Sequence, residues 1–129
     1  MYLINETEVA KEDFQLPVEN LAVWRGDGVF EALTIHDHFP FGIDNHIERL
    51  KQSCKKQLFE NVDFILIKNN ILKIASQYKT GYVRVLILRN DSDEDFTIYS
   101  FYQLPIDIPE NYSLESQPAP WHPGGDFEV

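Results

Sequence analysis

Cysteine is almost missing: Cys54 stands alone in 129 residues, so no disulfide can form within the chain, and a reducing, cytoplasmic setting is expected. An excess of basic residues is missing too. Lys and Arg number 11 against 21 Asp and Glu, a formal net charge of −10. The densest cationic spot, Lys51, Lys55 and Lys56, reads as the solvated side of a helix. Such a surface repels nucleic acid over most of its area, so no nucleic-acid partner is expected. A small anion is not excluded, because one arginine and a few backbone N–H groups can hold a phosphate inside an acidic protein. No apolar run approaches the roughly 20 residues of a membrane-spanning helix, and Met1–Glu6 has neither the basic flank nor the apolar stretch of a secretory signal; no membrane partner is expected. Metal-ligand spacing is lacking as well. His36, His38, His46 and His122 are scattered with no cysteine pair beside them, and the acidic run Asp91 to Asp95 lacks the central glycine and closing glutamate of a calcium loop.

What is present is an ordinary globular composition, 43% hydrophobic and 25% charged, in a chain long enough for one domain with a core. Residues 2 to 10 read as a small hairpin, and residues 11 to 23 as irregular. Trp24-Arg25-Gly26-Asp27-Gly28 reads as a turn-rich loop. Val29 to His36 is strand-like; Asp37-His38 turns into Phe39-Pro40-Phe41-Gly42, where Pro40 permits only an edge strand. Ile43, Ile47, Leu50, Cys54 and Leu58 are spaced for one helical face, and Phe64, Ile67, Ile71, Ile74 and Tyr78 repeat the pattern. Tyr82 to Leu88 is an apolar, β-branched run that predicts a buried central strand, and Phe96 to Gln103 predicts its neighbour across an acidic turn. The order of elements predicts an α+β fold, an antiparallel sheet with two helices packed on one face. An arginine inside the 82–88 strand is costly unless paired, so Arg84 is expected to face a pocket or a carboxylate partner.

Arg25-Gly26-Asp27-Gly28-Val29-Phe30-Glu31, followed by Phe41-Gly42-Ile43-Asp44-Asn45-His46-Ile47-Glu48-Arg49-Leu50 and by Tyr82-Val83-Arg84 leading to Arg89, resembles the fold-type IV (class IV) pyridoxal-phosphate-dependent enzymes. These are the branched-chain aminotransferases, the D-amino-acid aminotransferases and the aminodeoxychorismate lyases. The likeness runs from about residue 2 to residue 103. It implies pyridoxal 5′-phosphate as cofactor of the parent enzyme, with Arg49 binding the cofactor phosphate; a planar, permanently charged fork suits that work. It implies Phe30, Tyr82 and Arg84 as substrate-binding residues, the last two on one face of a strand by alternation. His46, one turn before Arg49, reads as a packing or hydrogen-bonding residue, and Arg89 as structural. Four acids among residues 91–95 would repel a second carboxylate, which argues against D-amino-acid specificity.

The resemblance also sets expectations about what the chain lacks. The family's Schiff-base lysine follows a linker into a second domain. Lys11, Lys51, Lys55, Lys56, Lys68, Lys73 and Lys79 stand in no such context. The expected organisation is therefore an N-terminal domain at 1–115 and an inter-domain linker at 116–129, with the C-terminal catalytic domain as missing partner and a homodimer as the assembly. Expected substrates are an amino acid and a 2-oxo acid, or an aminodeoxychorismate-like compound. No catalytic residue falls within the chain, which alone is expected to be inactive and not to retain the cofactor. The competing reading is a free-standing α+β binding or dimerisation module.

Overall fold

Apolar side chains recur at every second position in the two long strand-like stretches, and the protein turns that alternation into two layers. A computed structural model describes residues 1–90, 95–106, 111 and 113–116. In chain order it contains β1 (Tyr2–Ile4), β2 (Thr7–Val9), a 3₁₀ turn (Lys11–Asp13), α1 (Leu21–Arg25), β3 (Gly28–His36), β4 (Phe39–Pro40), α2 (Ile43–Lys56), α3 (Phe64–Gln77), β5 (Thr80–Arg89) and β6 (Phe96–Gln103). The strands form one antiparallel sheet in the order β2-β1-β6-β5-β3-β4. Val29, Leu33 and Ile35 of β3 and Val83, Val85 and Ile87 of β5 turn to the face covered by α2 and α3. The fold is α+β, as the order of elements predicts.

Local chemistry sets the helix ends. Gly42 adopts the left-handed conformation that precedes α2, which carries Asp44 in its first turn and Lys55 and Lys56 in its last, in the sense the helix dipole favours. Asp63 caps α3, its Oδ1 accepting from Ile65 N and Leu66 N, both at 2.9 Å. Ile47, Leu50 and Cys54 of α2 and Ile67, Ile71 and Ile74 of α3 close the core against the sheet. Burial pushes the Cys54 thiol up to about 11, so it is a packed apolar group rather than a nucleophile.

Three details differ from the sequence reading. Residues 11–23 are not irregular throughout: they hold the 3₁₀ turn, and Leu21–Arg25 coil into α1, whose start is capped by Asn20 Oδ1 accepting from Ala22 N at 2.9 Å and whose end is Gly26 at φ 65°. Trp24 and Arg25 thus belong to a helix, not to the loop. Leu58 lies past the end of α2, exposed and at φ 56°, because the chain leaves the helix at Gln57. Tyr78 is extended rather than helical and stacks on Tyr102, ring centroids 3.6 Å apart. The acidic turn is pinned at its ends by Asn90 N donating to Asp95 O at 2.9 Å, while 91–94 lie outside the described residues. So do residues 117–129 of the expected linker, His122 included. Among the described residues no helix is long and apolar enough to cross a membrane.

Candidate functional site

Residues 28–34 of β3 pair with β5 on one side only, since β4 covers no more than Ile35 and His36. Thr34 O accepts from Phe41 N at 2.8 Å on the far side. By the two-residue alternation of an antiparallel strand, Phe30 and Ala32 turn their N–H and C=O groups the same way, toward an edge with no strand on it. The chain leaves this edge just after Phe41, where Gly42 at φ 63° turns it into α2.

Each expected site residue can be placed relative to that edge. Phe30 projects from the sheet face away from the helices and is 66% exposed. Arg84 pairs across from Ala32 and Tyr82 from Thr34, so both share Phe30's face, with Arg84 its diagonal neighbour. Arg49 comes from the other layer. The four residues therefore do not form one cluster: three lie on the open face, and the fourth approaches the same strand from the helix side.

Glu31, the residue next to Phe30, meets Arg49. Alternation puts Glu31 on the apolar face with Val29 and Leu33, where its side chain is 2% exposed. Its two carboxylate oxygens accept from Arg49, Oε1 from Nε and Oε2 from Nη2, both at 2.6 Å. His46, one turn earlier on α2, brings Nδ1 to 2.7 Å from Oε2. Burial by itself raises the Glu31 pKa, but the hydrogen bonds and charges of Arg49 and His46 outweigh it and hold the carboxyl below its ordinary 4.5. The ion-paired hydrogen bonds in turn push Arg49 further up, so its guanidinium stays charged. Arg49 uses the side of its fork on Glu31; its side chain is 65% exposed, and Nη1 has no partner among the described residues. The end of the guanidinium, Nη1 with the second Nη2 hydrogen, is left for an anion. The arrangement fits a phosphate.

The Glu31 pairing has a testable pH signature. A depressed folded pKa means that ionised Glu31 contributes stability above its unfolded pKa and loses it as pH falls through the folded value. The stability gap between wild type and Glu31→Gln is expected to be constant near neutral pH and to shrink from 4.5 downward. Urea melts of both proteins at intervals down to about pH 3 measure it; a gap that never narrows would rule out an ionised, paired Glu31.

On the open face Arg84 Nε donates to Gln103 Oε1, the residue across the ladder from Tyr82. Its partner is an amide oxygen rather than a carboxylate. A neutral acceptor satisfies the half-buried Arg84 without cancelling its charge. Arg89, by contrast, is buried and tied down: Nε donates to Asp27 Oδ1 at 3.1 Å, Nη2 to Gln57 O at 2.7 Å, and the guanidinium lies 4.2 Å from the Phe59 ring centroid. It locks the Gly26–Gly28 loop and the end of α2 to β5, the structural role expected of it. Between these parts, Gly28, Val29, Phe30, Ser53, Lys56 and Gln57 line a depression of about 260 Å³ where β3 begins. Glu31 is the residue the sequence reading passed over. The available signal was an acid in register with Val29, Leu33 and Ile35.

Residues 28–123 match the amino-transferase class IV family. The chain belongs to that family. The class IV aminotransferases are pyridoxal-phosphate-dependent. A protein of Methanocaldococcus jannaschii that bears the name of a branched-chain-amino-acid aminotransferase is 26% identical over 96 residues, 70% of this chain and 32% of its own length. Several solved structures share the architecture. A hypothetical aminotransferase from Mycobacterium tuberculosis, in its pyridoxal-phosphate-bound form, superposes with a TM-score of 0.72 at 22% identity, over 81% of this chain and 39% of that one. The branched-chain amino acid aminotransferase of Escherichia coli gives 0.71 at 20%, over 80% and 39%. The 4-amino-4-deoxychorismate lyase of Pseudomonas aeruginosa gives 0.71 at 17%, over 85% and 42%. At these identities the likeness establishes the fold, and the chain spans about a third to two-fifths of the relatives' length.

Proposed function

We propose that this chain supplies the phosphate anchor and one wall of the substrate pocket in a pyridoxal-phosphate-dependent transfer of an amino group between an amino acid and a 2-oxo acid. The observation that carries the reading is the half-used fork of Arg49, held by Glu31 beside the bare edge of β3 while Phe30 projects from the opposite face. In this reading Arg49 binds the phosphate end-on. Backbone N–H groups of Phe30 and Ala32 face the same space, and Phe30 walls the side where Arg84 and Tyr82 meet a substrate carboxylate. When bound, the cofactor supplies an electron sink for bond cleavage at the α-carbon of an amino acid. The lysine that carries it belongs, in this proposal, to a C-terminal domain reached through residues 116–129, and the working assembly is a homodimer. Lyase chemistry on an aminodeoxychorismate-like substrate would use the same anchor, and the kinship to a protein named for branched-chain amino acid transfer favours the transferase.

The test is titration of the chain with inorganic phosphate, followed by NMR of side-chain and backbone N–H groups. The expected result is a saturable shift of the Arg49 N–H resonances together with the Phe30 and Ala32 amides. Shifts confined to Lys51 and Lys55, with Arg49 unmoved, would overturn the reading.

A further inference from the structure

We propose that Glu31 is a positioning residue, whose work is to hold Arg49 in the one orientation that offers the end of its guanidinium across the bare edge of β3; this rests on the phosphate-anchoring reading above. Arginine has a long side chain with several free torsions, and one that is 65% exposed has little packing to choose among its rotamers. Glu31 supplies the missing constraint. Its carboxylate belongs to a strand position fixed by register with Val85 of β5, and it is 2% exposed, so it cannot swing out. Two parallel hydrogen bonds of 2.6 Å to Nε and Nη2 fix both the position and the plane of the guanidinium. The carboxylate plane is fixed in turn by His46, whose Nδ1 lies 2.7 Å from the oxygen that Nη2 uses.

The chemistry of the pair limits what it can hold. Glu31 and Arg49 together are close to neutral, so the site offers directed N–H donors rather than a bare positive charge. A tetrahedral phosphate monoester, with oxygens spaced to match two parallel N–H groups, suits such a site. A site that relied on charge alone would do as well with lysine, and this one should not.

The experiment measures phosphate and pyridoxal 5′-phosphate, each against phosphate-free pyridoxal, on the full 129-residue chain and its variants by NMR titration. Glu31→Gln keeps the shape but puts an N–H₂ group where one arginine hydrogen bond must end. It is expected to weaken both phosphate-bearing probes roughly tenfold, the effect of having to order a free arginine on binding, and to leave pyridoxal within about twofold. His46→Gln, which keeps an N–H donor toward Glu31, is the rescue variant and should stay near wild type. Arg49→Lys should lose the preference for phosphate despite its charge. Wild-type chain that ignores phosphate sinks the functional reading and this inference with it. A wild type that binds phosphate and a Glu31→Gln protein that binds it equally well sinks this inference alone. A second measurement needs no variant and covers the case in which Glu31→Gln does not fold. The Arg49 Nε–H of the wild type should give a sharp resonance slow to exchange with water, and a guanidinium averaging freely would overturn the positioning role.

Discussion

Arg49→Ala is expected to abolish saturable phosphate binding by this chain, a loss of roughly 100-fold in affinity. The estimate follows from what the guanidinium end offers: two parallel, charge-assisted N–H donors. Exposure keeps the figure from being larger, since water competes for the same donors. The variant also strips Glu31 of two of its three hydrogen bonds and leaves a buried carboxylate with His46 alone. Its pKa should rise, and the acid-dependent stability gap described for Glu31 should close. Two readouts thus move together, phosphate affinity and the Glu31 titration, through a single pair of hydrogen bonds. The double variant Glu31→Gln, Arg49→Ala separates them: added to Arg49→Ala, Glu31→Gln should change phosphate affinity no further, because the residue it positions is gone. Arg49→Ala protein that still binds phosphate within about threefold of wild type would show that the anchor lies elsewhere, and the lysines of α2 would become the first place to look.

How far the sequence discloses this site depends on which interactions are local. The β3, β5 and β6 strands and the α2 and α3 helices follow from periodicity, because Leu33, Ile35, Val83, Val85 and the α3 isoleucines repeat at the spacing of a one-sided core. Phe30, Tyr82 and Arg84 share a face for the same reason. Helix α1 escapes a periodicity search because Leu21–Arg25 complete barely more than one turn; only the Asn20 cap and Gly26 mark it. The partner of Arg84 is invisible because Gln103 is 19 positions away and meets it only through the β5–β6 register. Glu31 is the instructive case. Its burial is legible from alternation, and buried acids need donors, yet nothing local says that the donors come from α2. That requires knowing that α2 docks along β3. The sheet order is likewise not written in any local pattern, since β1 inserts beside β6 from the opposite end of the chain.

The largest loss of stability is expected at Gly81, where a single methyl group meets two obstacles. Gly81 is the buried second residue of β5 at φ 129°, a region L-residues rarely adopt, and a Cβ there would lie 2.8 Å from the carbonyl oxygen of Gln103 and run into the ring of Tyr102. The ring cannot step aside cheaply. It is stacked on Tyr78 at 3.6 Å, and its hydroxyl donates to Thr80 O at 3.0 Å. Backbone strain of about 1–3 kcal/mol and overpacking of about 1–3 kcal/mol therefore add, for an expected destabilisation by Gly81→Ala of about 2–6 kcal/mol. That is a large part of the total stability of a small domain. Gly26→Ala is the matched control: φ is 65° there and nothing lies within 4 Å, so only the backbone cost of about 1 kcal/mol remains. Urea unfolding of both variants separates the two contributions, and equal midpoints would show that the Tyr102 contact yields freely. The consequence reaches the candidate site. Gly81 lies near the start of the strand whose register places Tyr82 and Arg84 on the face of Phe30, and a slip of one residue to relieve the clash would turn both side chains into the apolar layer. Gly81→Ala protein that remains folded should therefore keep the Arg49 response to phosphate, which depends on β3 and α2, while losing the hydrogen bond between Arg84 and Gln103.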